Sequence, residues 1–221
     1  MIDFLGVKAV TIPEGDVSKI TNSSGEIVWQ KPTRLPADYQ EVEYIQSSGT
    51  QWIDSEFTVS PEILTNGLKA ESKVAILGTA RSAMYKNKLP YFFVGTSSGN
   101  FYSGLGGSYK TSSVSNDGEP HILTLDSTEQ TYSVDGTVVS QYSQNYSGSS
   151  GGLYLFISSS GSSPLTSKLY YTKIYYQGEL VRYFVPCYRK SDNEVGLYDS
   201  ITGRFFTNAG SEEFSKGPDI A

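Results

Sequence analysis

Short runs in which apolar and polar residues alternate recur along most of the chain. No stretch keeps apolar residues at the i, i+3, i+4 and i+7 spacing of an amphipathic helix for three turns. The pattern therefore predicts strands, at 42–45, 51–59, 68–77, 89–95, 100–105, 121–127, 130–134, 137–141, 153–158, 167–177, 179–188, 194–199 and 204–207. Val134-Asp135-Gly136-Thr137 and Tyr176-Gln177-Gly178-Glu179 place glycine where a tight hairpin needs a positive φ. Strands at this density, without a repeat of solenoid or propeller length, predict an all-β, two-sheet antiparallel jelly-roll sandwich.

Ahead of that domain, β-branched runs at 7–12, 17–20 and 26–29 are separated by Pro13-Glu14-Gly15-Asp16 and Asn22-Ser23-Ser24-Gly25. They read as a small β-meander module over 1–31. Lys31-Pro32-Thr33-Arg34-Leu35-Pro36 then forms a stiff, extended connector, so the linker is placed at 32–35 and the sandwich at 36–221.

Composition narrows the function. The 221 residues carry 17 Lys+Arg against 23 Asp+Glu, a net charge of −6. An acidic chain is a poor partner for nucleic acid, whose phosphates need clustered cations. One cysteine and one histidine exclude a disulfide within the chain and a multi-Cys or multi-His zinc site. No apolar run is long enough for a transmembrane helix, so no membrane insertion is expected. The start, MIDFLGVKAVTIPEG, lacks the basic and apolar regions of a signal peptide, which predicts that the chain is not exported by that route.

The 17 tyrosines and 22 glycines make a different suggestion. Tyr102, Tyr109, Tyr142 and Tyr146 read as lying in Gly/Ser loops, where amphipathic rings beside small polar residues give an adaptable contact surface. Trp52, between Gln51 and Asp54, is either a sugar-stacking platform or a core residue. These five are the candidate carbohydrate-binding residues. Tyr170, Tyr171, Tyr175 and Tyr176 are expected to serve core and lattice packing, one pair on each strand face.

Catalytic chemistry finds less. Asp54 and Glu56 would share a strand face about 6–7 Å apart, but the E-x-D-x-x-E strand of jelly-roll glucanases has Trp52 at its first position here. His121 opens a strand with no nucleophile motif beside it, and Cys187 in an apolar strand reads as a small buried hydrophobe. Asp117, Asp126, Asp135 and Asp192 are too scattered to place a calcium ion, so no catalytic residue, metal ligand or cofactor is assigned. The GLGG run at 104–107 is turn and bulge glycine, since neither Lys-Ser/Thr nor a helix follows.

Two longer stretches go beyond generic β. LPADYQEVEYIQSSGTQWID at 35–54 pairs with a closing VPCYRKSD, GLYD and FTNAG at 185–210. Together they resemble a laminin-G/concanavalin-A-like jelly-roll family found in phage and prophage tail-associated structural proteins of gut bacteria. The hairpin from His121 to Val139 is similar to the central hairpin of such domains. The resemblance implies a non-enzymatic virion protein that binds a host cell-surface polysaccharide or other virion subunits. Its location would be the phage tail or the cytoplasm of the producing bacterium, and homo-oligomers are compatible with it. Pure assembly without a glycan ligand, and a glycan hydrolase or depolymerase, remain the alternatives.

Overall fold

The computed structural model of the chain describes residues 19–21, 27–30, 35–79, 81–86, 88–157 and 164–220. Backbone contacts divide it into two compact units, Met1–Arg34 with Ala221, and Leu35–Ile220. In the first, β1 (Lys19–Thr21) pairs antiparallel with β2 (Ile27–Gln30). The other expectations for 1–34, and those for 158–163, lie outside the described residues.

The larger unit is all-β apart from one helical turn. Its elements are β3 (Tyr39–Glu41), β4 (Ile45–Ser47), β5 (Ile53–Val59), α1 (Pro61–Thr65), β6 (Leu68–Ile76), β7 (Ser82–Lys86), β8 (Tyr91–Ser97), β9 (Asn100–Gly106) and β10 (Ser108–Ser115). There follow β11 (Pro120–Asp126), β12 (Thr131–Val134), β13 (Thr137–Gln141), β14 (Gly151–Leu155), β15 (Ser167–Tyr176), β16 (Glu179–Arg189), β17 (Val195–Asp199), β18 (Arg204–Phe206) and β19 (Ser215–Lys216). The helix is too short to show a periodicity. It forms because Ser60 Oγ accepts the Ile63 N–H and Pro61 presets the first turn.

One antiparallel sheet runs β13-β12-β11-β6-β15-β16-β17-β18, with β3 added to β16, and β4 and β19 added to β15. A second layer holds the four-stranded sheet β10-β9-β8-β7, and the pair β14-β5 continues it where β14 runs beside β7. Alternate residues of β6 point inward, so Leu68, Ala70 and Val74 are buried against Met84, Phe92 and Leu153 of the other layer. Each fully buried Leu, Val, Met or Phe side chain among them contributes roughly 1.5–3 kcal/mol. Ser72 Oγ meets Tyr85 OH at 2.5 Å and Thr172 Oγ1 at 2.7 Å, a hydroxyl chain that joins the layers inside the core. At the margins β10 approaches β13 and β18 approaches β5, which shields edge strands from further pairing.

The opening and closing stretches that carried the family resemblance clasp one another. Val42 N–H donates to Pro186 O at 3.0 Å, and Lys190 Nζ to Ala37 O at 2.8 Å. The Tyr39 ring lies 4.9 Å from Tyr198 and 5.0 Å from Phe205, over Leu35, Val185 and Cys187, in a second apolar cluster. Further along, Trp52 N–H donates to Asn208 Oδ1, Ala209 N–H to Trp52 O, and Gln51 Nε2 to Glu213 O.

Several sequence expectations need correction. The run 42–45 falls mostly between β3 and β4: only Ile45 belongs to a strand, β4, and Val42 makes only an isolated bridge to Asp219. Strands β7 and β10 were not expected. In β10 only Ser112 is buried, so this edge strand shows no apolar alternation. The four tyrosines of β15 are half-buried rather than core, because a bulge between Leu169 and Tyr171 turns both Tyr170 and Tyr171 outward.

Candidate functional site

The β8–β9 hairpin sets the geometry of the aromatic layer that carries Tyr109, the most exposed of the described tyrosines. Ser98 (φ 53°) and Gly99 (φ 81°) form a two-residue turn of the mirror-image kind that fixes hairpin register. The register then pairs Tyr91 with Gly106, Phe93 with Gly104, and Gly95 with Tyr102. Every aromatic ring on this outward face therefore has a glycine directly across. A Cβ on Gly104 would lie 2.2 Å from the Phe93 ring, so the missing side chain is what lets the ring lie down on the sheet.

Strand β10 completes the layer, placing Tyr109 opposite Gly104 and Thr111 opposite Tyr102. Phe93 and Tyr102 are 4.9 Å apart, Tyr102 and Tyr109 5.7 Å, and Tyr91 and Tyr109 6.0 Å between centroids. The Arg81 guanidinium sits over both Tyr102 (5.2 Å) and Tyr109 (5.5 Å). Phe93 and Tyr102 are buried, Tyr91 is half-buried, and Tyr109 is 52% exposed. Among the described residues it is the one tyrosine exposed to that extent.

The structure thus brings two of the five candidates together and separates three. Tyr102 and Tyr109 stand in strands, not loops. Tyr142 is a loop anchor: its hydroxyl donates to Ser103 O at 2.9 Å, and burial pushes its pKa up to about 12. Tyr146 holds the same loop by donating to Ser127 O at 2.6 Å. Trp52 packs edge-on against Tyr154 at 5.4 Å and against the core, within the clasp. Tyr91 and Arg81 were missed. The signal for Tyr91 was the Gly/aromatic spacing of YFFVGTSSGNFYSGLG once the Ser98-Gly99 turn is recognised, whereas nothing local marks Arg81.

A second aromatic surface lies on the outward face of the large sheet. Lys168 covers Tyr44 at 4.5 Å, Lys73 covers Tyr170 at 5.2 Å, and Lys173 covers Tyr171 at 4.9 Å. Glu71 ties this row down, 3.5 Å from Lys173 and 3.1 Å from the Tyr171 hydroxyl. Its rings are half-buried and already faced by the chain's own lysines.

The carboxylates are engaged elsewhere. Glu56 has φ 53°, which breaks the alternation that would have set it beside Asp54, and its carboxylate forms a two-point ion pair with Arg204. That hydrogen bond lowers the Glu56 pKa, the opposite of what a glycosidic general acid requires. Asp126 accepts the N–H groups of Thr128 and Glu129, and Asp192 pairs with Arg189. Among the described residues no group of three or more acidic, histidine or cysteine side chains is arranged to hold a metal. Burial pushes the Cys187 thiol up to about 12, which leaves it inert.

His121 is clamped at Nδ1 by Asp135 (2.6 Å) and at Nε2 by Asp117 (2.9 Å). Partial burial opposes its charge, but the two carboxylates outweigh that and raise its pKa, while both carboxyl pKa values fall. The stability contributed by the charged ring is complete below the unfolded imidazole pKa and is lost as pH rises through the raised folded value. The carboxylates contribute above their ordinary range and lose that contribution as pH falls through their lowered values. Asp135→Asn is expected to move the His121 pKa back down, read from the imidazole proton shifts of the chain's single histidine. An unmoved pKa would assign the shift elsewhere.

No protein-family model matches the chain, and no curated protein matches it. Among the described residues no helix is long and apolar enough to cross a membrane.

Proposed function

We propose that the larger unit is a non-enzymatic recognition module of jelly-roll type, in which a surface of Tyr109, Tyr91 and Arg81, backed by the buried Tyr102, binds a cell-surface glycan. The observation that carries this reading is Tyr109, half-exposed at the open side of an aromatic layer seated on glycines. A rigid sheet holding flat rings presents apolar area at little entropic cost, and sugar rings have apolar faces that stack on such area. The resemblance of the opening and closing motifs to tail-associated proteins sets the context as a phage or prophage tail. Many copies on one particle would turn weak single sites into firm attachment.

The test is binding of the whole chain to bacterial surface polysaccharides, with analysis of the polymer afterwards. Tyr109→Ala is expected to weaken binding at least tenfold while the unit stays folded, at a cost of about 1–2 kcal/mol for the lost ring contacts. Unchanged binding by that variant, or release of reducing ends by the wild type, would overturn the reading. The lysine-faced tyrosines of the large sheet favour the second reading, packing against another virion subunit. Ordered oligomers that bury those tyrosines, without any glycan bound, would support it.

A further inference from the structure

Arg81 is exposed, yet it is not loose. Its guanidinium rests above two ring faces at once, at 5.2 and 5.5 Å from the centroids of Tyr102 and Tyr109. Cation–π contact with two ring faces at once biases the side chain toward this position. Among the described residues, no carboxylate lies within ion-pair distance of Arg81, and no hydrogen-bond acceptor is paired with it. The other described arginines differ. Arg189 is paired with Asp192, Arg204 with Glu56, and Arg182 lies 3.4 Å from Asp199.

We infer that the site takes an acidic sugar, one whose carboxylate, sulfate or phosphate pairs with the Arg81 fork while its ring stacks on Tyr109. This rests on the glycan reading and narrows it. A planar guanidinium offers parallel N–H donors whose spacing matches two oxygens of such an anion. Stacking fixes the plane of the fork before the ligand arrives, so less side-chain entropy is lost on binding. Thr111, opposite Tyr102 in the register, adds an exposed hydroxyl on the same side. Because the chain as a whole carries a net charge of −6, a polyanion gains nothing from the overall field. Attraction has to come from cations at the site itself, of which Arg81 is the one already stacked on the rings, so a single anionic contact there gives only a modest salt dependence.

The experiment uses the whole chain and matched polymers: polygalacturonate and its carboxyl-reduced neutral form, and dextran sulfate and dextran phosphate beside dextran. Titration calorimetry is expected to show at least one anionic polymer binding about tenfold or more tightly than its uncharged counterpart, and which one does identifies the anion. Arg81→Gln should remove that difference, and Arg81→Lys most of it, since a point charge lacks the fork. Arg204→Gln is the charge-matched control, and it should leave the difference in place. Melting curves confirm that each variant is folded.

Equal affinity for charged and neutral polymers, with both lost in Tyr109→Ala, would overturn the acidic preference and leave the glycan reading standing. An Arg81→Gln variant that keeps the preference would also overturn it. The absence of binding to every polymer would sink both readings together.

Discussion

Gly95→Ala is expected to destabilise the larger unit by about 3 kcal/mol or more, because a backbone has to move to admit one methyl group. The added Cβ would stand 1.8 Å from the Ser82 carbonyl oxygen and 2.9 Å from Ala83 Cα. Neither is the end of a flexible side chain, so β7 would have to separate from β8. In a unit of this size the loss corresponds to a fall in melting temperature of roughly 6–12 °C. Gly78→Ala is the control, since its added methyl would have no neighbour within 4 Å. That variant should stay within about 0.5 kcal/mol of wild type. A Gly95→Ala protein melting with the control would show that the two strands are not packed this closely.

The second large effect is expected at Asp199. Its carboxylate is fully buried and accepts the N–H groups of Tyr183 (2.9 Å) and Ile201 (3.1 Å) and the Thr202 hydroxyl (2.5 Å). It thereby holds β16, β17 and the turn leading to β18 in one arrangement. Asp199→Ala leaves two part-buried amides and the Thr202 hydroxyl without their acceptor and removes a fully buried side chain, which together costs about 3 kcal/mol. Arg182 is partly exposed and therefore screened, so its pairing adds little to that loss. Asp199→Asn keeps an oxygen able to accept both amides and should cost about half as much. Denaturant unfolding of the two variants side by side reads the difference. Equal losses would shift the weight to the Arg182 charge pair.

The strand-rich, antiparallel architecture was legible because most strands here have one buried and one outward face. β6 and β11 show the alternation plainly, as do the turn glycines at 136 and 178. β7 was hidden for the opposite reason: it is buried throughout, and Tyr85 at φ 78° turns its side chain away from a regular alternation. β10 was hidden because edge strands of polar residues look like loops. That error had a functional side, since it left Tyr109 in a loop and so obscured the face it shares with Tyr102. Grouping the tyrosines by composition put Tyr142 and Tyr146 with them, although both spend their hydroxyls on backbone carbonyls. Only the register decides which rings meet, and it is set by a two-residue turn whose significance depends on the strands it joins. Arg81 meets its tyrosines across strands, a juxtaposition with no local pattern to betray it.

The clasp between the first and last strands also governs how this unit would respond to being pulled. Ile220 N–H donates to Glu41 O, and Gln40 Nε2 to Ile220 O, so the two ends of the unit emerge side by side. Tension applied between them falls on these few bonds and the short β3–β16 and β19–β4 ladders. No strand of the tyrosine layer belongs to the clasp. A tethered copy could therefore be loaded at its anchored corner while its ring surface kept its shape, with force and recognition running through separate parts of the same fold.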